Sequence, residues 1–417
     1  MSYQQYIDQI RGTLAESTGC TEPSAIALNA ATARKHAKGE IWRVTARLDA
    51  YLFKNAMGVG IPGADERGVE LCVALGITAG DSEAGMNALH TVTAEQLAQG
   101  KALREKVSVE IAEGAQGLYI ETVIETDCDC VRVITSQAHD RIARIEHAPF
   151  APFVDEVSSE AAAEEAIVGD VAAYLDFADH ADVNELLFLK DALGMNRKVY
   201  RTAVEKGLDR QVLPSMMLKD PSVFVQAKRM AGAASYARMS GVPLPVMTAT
   251  GSGNQGLTLF LTVDAAAQAF GADEEKLLRA LALANMVNLY IKSHIGPLSS
   301  VCACGVASGL GASLGVVYIL GGGEKEMLQA ARNILGSVSG MICDGAKEGC
   351  ASKVALSAGL AVEAACLAME GSGIHAQDGI LDNDFDHLIA HLGELVLEGM
   401  GKTNSTIVHI MMSEKRC

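Results

Sequence analysis

APFAPFVDEVS, residues 148–158, carries two of the nine prolines and divides the chain into two kinds of sequence. Upstream lie short β-prone runs: WRVTARLDAYLF (42–53), KVSVEIA (106–112), GLYIETVIET (117–126), CVRVITSQA (130–138) and RIARIEHA (141–148). Alternation such as Val107-Val109-Ile111 and Ile120-Thr122-Ile124 has the period of a half-buried antiparallel strand. Downstream the pattern is helical. An acidic start opens a run from Ser159 to about Phe177, followed by runs over 183–195, 198–206 and 223–239. The fold class predicted is α+β: a large α-helical domain over 151–417 and a smaller antiparallel-sheet α/β domain over 41–150. The helices of residues 1–40 are expected to pack on the helical domain.

A chain of 417 residues exceeds one typical core, in keeping with two domains. The formal charge of −17 repels a phosphate backbone, and no basic stripe interleaved with aromatics occurs, so nucleic acid is not an expected partner. MSYQQYIDQIRGTLAES lacks a basic segment followed by an apolar one, so no secretory signal is read there and a cytoplasmic location is expected. Ten cysteines in a reducing compartment point to metal ligation, a reactive thiol or core packing before disulfides. The stretch 295–323 has no charged residue and is longer than a bilayer requires. It is also dense in glycine, serine and cysteine, contains Pro297, and has only Lys292 and Lys325 near its ends. A buried core segment, with no membrane partner, is the expectation.

Near the N-terminus, Tyr6, Ile7, Ile10 and Leu14 fall at helical spacing before a polar turn over Glu16–Gly19. In GCTEPSAIALNAATARKHA (19–37), Pro23 suits the first position of a helix capped by Thr21 or Glu22. Cys20 then sits just ahead of a helix N-terminus, where the dipole eases thiol ionisation; the plain alternative is a small apolar residue in a turn. KNAMGVGIPG (54–63) reads as a glycine-rich loop after the first strand, offering Lys54 and Asn55 to an anion or forming only a turn. Cys72, in the helix expected around 69–75, reads as core. Cys128 and Cys130, with no second pair nearby, read as turn and strand residues. TGSGNQG (250–256), ahead of LTLFLTVDAAAQAF, places Ser252, Asn254 and Gln255 at a helix entry. That is a cradle for a carboxylate or phosphate, or else a flexible connection.

Four cysteines crowd into SHIGPLSSVCACGVASGLGASLGVVYILGGG (293–323) and MICDGAKEGC (341–350). In an unbroken helix Cys343 and Cys350 would lie about 10 Å apart along the axis, too far for one compact centre. Gly345 and Gly349 make a loop the better reading, with ASKVALSAGLAVEAACLAM (351–369) beginning a helix just after Cys350. Cys366 faces about 160° away on that helix and reads as core. Cys302 or Cys304 supplies a third thiolate. Three thiolates without a fourth suit a [4Fe–4S] cluster whose open iron acts as a Lewis acid; four suit structural zinc; buried, unliganded cysteines are the remaining option.

Five blocks in this order, GCTEPSAIAL, KNAMGVGIPG, GSGNQG, HIGPLSSVCACGVASGLGAS and ICDGAKEGCASKVAL, resemble the signature blocks of the L-cysteine desulfidase family, also described as serine dehydratase alpha-chain-like. The resemblance covers nearly the whole chain. It implies an oxygen-sensitive [4Fe–4S] lyase, needing no pyridoxal phosphate, that converts L-cysteine to pyruvate, sulfide and ammonia. Iron–sulfur L-serine dehydratases are similar in the last two blocks, so serine is the alternative substrate.

By the same resemblance, Cys343, Cys350 and one of Cys302 and Cys304 are cluster ligands, with Cys304 preferred for its Cys-Gly-Val step. Cys20 is the implied base for the Cα proton, and Ser252, Asn254 and Gln255 the implied holders of the substrate carboxylate, with Lys54 and Asn55 beside them. The chain departs from the desulfidases in ending on Cys417, which, as in some serine dehydratases, would cap the open iron, or else belongs to a frayed tail. The implied partner is a small amino acid, and a homodimer is compatible with the sequence. A non-catalytic iron–sulfur or zinc regulatory protein is the reading from another class, and it would have no use for Cys20 or GSGNQG.

Overall fold

The β-prone runs form a five-stranded sheet in the order Val107–Ile111, Ile41–Leu48, Tyr119–Thr126, Cys130–Ser136, Ile142–His147. The computed structural model describes the whole chain except residues 1, 20, 62–63, 65, 90, 113–114, 116–117, 155–168, 297–298 and 415–417. Three strand pairs are antiparallel, but Val107–Ile111 runs parallel to Ile41–Leu48, so the sheet is mixed. The reason is the connection between them, a crossover containing the helices Ala50–Ala56, Val69–Ala79 and Ala94–Leu103.

On the central strand, Ile120 and Ile124 join the core under the helices Thr21–His36 and Val69–Ala79, while Glu121 faces the other way. Glu121 is almost fully buried and is held between Arg47, at 2.6 Å, and Arg132, at 3.6 Å. Two guanidinium groups compensate a carboxylate that would otherwise be costly to remove from water. Asn29, buried on Thr21–His36, donates to Thr135 Oγ1 at 2.9 Å and pins the helix across the sheet. A Cβ at Gly76 would lie 2.6 Å from the Ala27 carbonyl oxygen, so glycine is what lets the two covering helices touch.

The helical core gathers around Gly253–Phe270, Glu274–Ile295 and Ala307–Ile319, with Val223–Met239 laid along Cys350–Met369. Alanine and glycine keep these helices close. Helix Tyr3–Thr13 joins this core through Tyr6, Ile7 and Ile10. Helix Thr21–His36 does not: it belongs to the sheet's core, so residues 1–40 divide between the two bodies, because its small side chains are buried from Pro23 to Ala33 and fit the narrow space over the strands. Val408, on the helix Thr403–Glu414, returns to the sheet's core from the far end of the chain.

Several local expectations shift. DAYLF is not a continuation of the first strand, because Asp49 Oδ1 accepts from the N–H groups of Tyr51 and Leu52 and starts a helix there. Lys54 and Asn55 therefore lie on Ala50–Ala56, ahead of the glycine-rich loop, whose Pro62 and Gly63 lie outside the described residues. Glu16–Thr18 is a strand paired with Pro245–Met247 rather than a plain turn. Helix Thr21–His36 starts two residues before Pro23, which the unpaired N–H positions of a first turn tolerate. Runs 183–195 and 198–206 merge into the single helix Phe188–Glu205, preceded by a short turn. Residues 159–168 of the acidic run lie outside the described residues; its helix is described over Val171–His180. The uncharged stretch 295–323 is broken into a helix end, a turn and the helix Ala307–Ile319. Among the described residues Cys350–Met369 is long and apolar enough to cross a membrane, and 56% of its apolar window is buried in the fold.

Cys72 is a core residue whose Sγ donates to the Pro23 carbonyl oxygen at 3.1 Å. Complete burial pushes its pKa up to about 12. Its thiol therefore stays protonated in the folded protein while the unfolded chain ionises near 9, so this contribution to stability is full below pH 9 and is lost as pH rises from 9 toward 12. Alkylation at pH 8, followed by mass spectrometry, is expected to label exposed Cys128 rapidly and Cys72 only in denaturant. Cys72→Ala should flatten the alkaline limb of a stability-against-pH curve.

Candidate active site

Two backbone hydrogen bonds bring the cysteine-rich segments together: Cys302 N–H to the Met341 carbonyl at 2.7 Å, and Cys343 N–H to the Ser300 carbonyl at 2.8 Å. Val301 and Ile342 pair between them as an antiparallel bridge. The Cys302 carbonyl then accepts from Gly305 and Val306 and turns the chain toward Ala307–Ile319. On the other side Cys350 opens its helix, with Sγ 3.5 Å from the Gly345 carbonyl oxygen. Gly345 has φ +97, and a Cβ there would lie 2.2 Å from the Lys54 carbonyl oxygen, so this loop closes directly on Ala50–Ala56.

The four thiols share one electrostatic environment. Cys304 donates to Cys302, which lowers the pKa of Cys302 to about 7 and raises that of Cys304. Burial pushes Cys350 up to about 11 and raises Cys343, and in each the negative charge of Cys302 adds to the effect. Cys302 thus interacts with all three of the others. Cys304 also reaches Ser252, Oγ to Sγ 3.8 Å.

Three lysines surround this group. Lys54, 1% exposed, donates to the Cys343 carbonyl at 2.8 Å and to Asn404 Oδ1 at 2.6 Å; burial lowers its pKa, against the pull of Cys343. Lys292, also buried, donates to the Gly296 carbonyl at 2.6 Å; burial depresses it to about 8, opposed by Cys304 and Cys343. Burial works to lower Lys353 as well, but its bond to Asp344 at 2.6 Å and the thiols of Cys302 and Cys350 outweigh it and hold the pKa above the ordinary value. Asp344 in turn sits at about 2: burial opposes this, and Lys347 and Lys353 overcome it.

The GSGNQG block adjoins the same place. Its helix begins at Gly253, one residue after Ser252, whose side chain makes no cap and is left to face Cys304. Gln255 Oε1 accepts from Thr250 at 2.9 Å and lies 3.5 Å from Ser308 Oγ, Ser308 donates to Asn288 Oδ1 at 2.9 Å, and Asn288 Nδ2 donates to Thr250 at 3.2 Å. Gln255 is thereby fixed inside a closed polar ring that shapes the loop. Thr21 Oγ1 lies 3.5 Å from the Gly251 carbonyl oxygen, and Asn55 Nδ2 donates to Glu22 at 3.0 Å. Cys20 and Cys417 lie outside the described residues. Cys366 packs half-buried against the helical core, and Cys128 and Cys130 lie in a turn and at the start of a strand of the sheet.

The structure therefore brings together Lys54, Ser252, Cys302, Cys304, Cys343 and Cys350, with Asn254 and Gln255 in the first helical turn after Ser252 and Asn55 holding the segment after Cys20. Sequence reasoning missed Lys292, Lys353 and Asn404. Lys292 carried a signal, being the one lysine among apolar and small neighbours late in its helix, whereas Asn404 carried none.

A single tetrahedral ion needs thiolates within about 4 Å of one another. Among the described residues no three His, Cys, Asp or Glu side chains are grouped to hold such an ion. A four-iron cluster is a larger body that takes its thiolates from farther apart. The donor set suits one: sulfur ligands among which burial and the charge of Cys302 disfavour the thiolates of Cys343 and Cys350 until a cation arrives.

A family model described as serine dehydratase alpha chain matches residues 83–409, and the chain belongs to that family, whose description supports a dehydratase-type lyase acting on a small amino acid. Similar proteins align from end to end. A UPF0597 protein of Caldanaerobacter subterraneus subsp. tengcongensis is 36% identical over 98% of each chain. One from Oleidesulfovibrio alaskensis is 35% identical over 99% of each. Another, from Clostridium tetani, is 33% identical over 99% of this chain and 98% of its own.

Lys54→Met removes the donor shared by Cys343 and Asn404 and leaves both acceptors buried. Urea unfolding should show a loss of about 2–4 kcal/mol.

Proposed function

We propose that the protein carries out α,β-elimination of L-cysteine to pyruvate, sulfide and ammonia as an L-cysteine desulfidase, with a [4Fe–4S] cluster on Cys343, Cys350 and one of the Cys302–Cys304 pair. The observation that carries this reading is the contact of Ser252 with Cys304, which sets an anion cradle against the thiol group. Cys302 and Cys304 both interact with Cys350, and the sequence resemblance supports Cys304 as the third ligand. When bound, the cluster supplies a Lewis acid that withdraws charge from the substrate's carboxylate or sulfur.

The chain's own residues do the rest. Ser252, Asn254 and the first-turn N–H groups of Gly253–Phe270 hold the carboxylate. Cys20, as thiolate, takes the Cα proton; the Cβ–S bond breaks with its electron pair going to sulfur, which leaves as sulfide. The aminoacrylate so formed tautomerises to an imine and adds water to give pyruvate and ammonia. Lys292 and Lys353 offset negative charge accumulating around the thiols. Serine in place of cysteine gives the same products with water as leaving group, and the family's serine dehydratase description keeps that substrate as the second reading.

Anaerobically reconstituted protein, assayed with cysteine and serine side by side, is expected to release sulfide and pyruvate in equal amounts from cysteine and to act far more slowly on serine. The reverse preference would make it a serine dehydratase; no product from either would end the proposal. Cys343→Ser and Cys350→Ser should lose bound iron together with turnover. Cys20→Ala should keep the iron and lose turnover by about 100-fold or more. Comparing iron content in Cys302→Ser and Cys304→Ser assigns the third ligand. If Cys417→Ser leaves the resting cluster spectrum and any activation lag unchanged, Cys417 is no cap.

A further inference from the structure

Arg238, in the last turn of Val223–Met239, is 3% exposed. Two arginines of the helical body lie against carboxylates: Arg197 on Asp264 at 2.6 Å and Arg229 on Asp209 at 2.7 Å. Arg238 has no such partner among the described residues. Its Nη1 makes a long 3.4 Å bond to Asn254 Oδ1, and its Nε is buried with nothing to donate to. A position near a helix C-terminus favours a cation, but that effect is smaller than the penalty for burying an unpaired guanidinium.

The guanidinium is aimed at one place. A Cβ on Gly253 would lie 2.5 Å from Arg238 Nε and 2.7 Å from its Cζ, so the group lies directly against the first residue of the 18-residue helix Gly253–Phe270. That end already presents first-turn N–H groups and the hydroxyl of Ser252, which does not cap the helix and reaches Cys304. A planar fork of donors beside a helix N-terminus matches a carboxylate, which can accept two parallel bonds from it.

We propose that Arg238 binds the α-carboxylate of the substrate as its principal anchor and restricts the enzyme to amino acids with a free carboxylate. The inference rests on the reading of the GSGNQG block as a substrate cradle. Ser252, 3.8 Å from Cys304 Sγ, marks the side on which the rest of the substrate lies, toward the thiols. Gly253 is required because any side chain there would displace the guanidinium.

The test uses L-alanine, which has the carboxylate but nothing to eliminate, and L-alaninamide, which lacks the anion, titrated calorimetrically into anaerobically reconstituted protein. The wild type is expected to prefer L-alanine by about tenfold or more. Arg238→Met should abolish that preference and raise the KM for cysteine more than it lowers kcat, Arg238→Lys should retain part of it, and Gly253→Ala should lose it with the arginine still present. A purely structural arginine would lower the thermal midpoint of the ligand-free protein when removed. An unpaired one leaves it unchanged or raises it. L-alanine binding within twofold of wild type in Arg238→Met, or no preference in the wild type, overturns the proposal. Should Arg238→Met not fold, the lysine and Gly253→Ala variants decide by the same preference. If the preference depends on Arg238 while neither cysteine nor serine is turned over, the anchor stands and the proposed elimination falls.

Discussion

The antiparallel contact of Ser300–Cys302 with Met341–Cys343 is the constraint on which the site depends. Two main-chain hydrogen bonds fix the register, so that Cys302 and Cys343 approach from opposite sides of one bridge. Side-chain contacts alone would leave these flexible, glycine-flanked turns free to separate. Backbone pairing removes that freedom, and the helices Ala307–Ile319 and Cys350–Met369 then leave the bridge in directions dictated by the packed core.

Buried charge is the second organising fact. Each buried ion costs several kcal/mol unless it is paired, against a net stability for an ordinary domain of about 5–15 kcal/mol. The chain keeps Lys54, Lys292 and Arg238 inside. Lys54 is partly compensated by a carbonyl and an amide oxygen, and Lys292 by a carbonyl. All three lie beside the thiols or the GSGNQG helix, although the chain as a whole carries a formal charge of −17. Positive charge is concentrated beside the thiols and the entry to the GSGNQG helix.

The α+β class, the sheet's strands, Val223–Met239 and the helix after Cys350 were legible because their periodicities are local. The grouping of cysteines was legible because sulfur and glycine are concentrated in two short stretches. What could not be read depends on residues far apart in sequence. The parallel edge strand follows from a long crossover, and Glu16–Thr18 becomes a strand only because Pro245–Met247 lies beside it. The misplacement of Lys54 and Asn55 in a loop came from overlooking Asp49 as a helix cap. Arg238 gave no sign in the sequence, since a basic residue ending a helix is ordinary; only its burial without a carboxylate sets it apart.

Asn404 ties these parts together, accepting from Lys54 on one side and donating to Ser300 at 2.8 Å on the other. It stands 350 positions after Lys54 in the chain. During synthesis, then, every cysteine from Cys302 to Cys366 leaves the ribosome before the residue that locks Lys54 beneath the Cys343 loop has been made. The nascent thiols face the cell as an open set, and the finished pocket forms only when the closing helix docks.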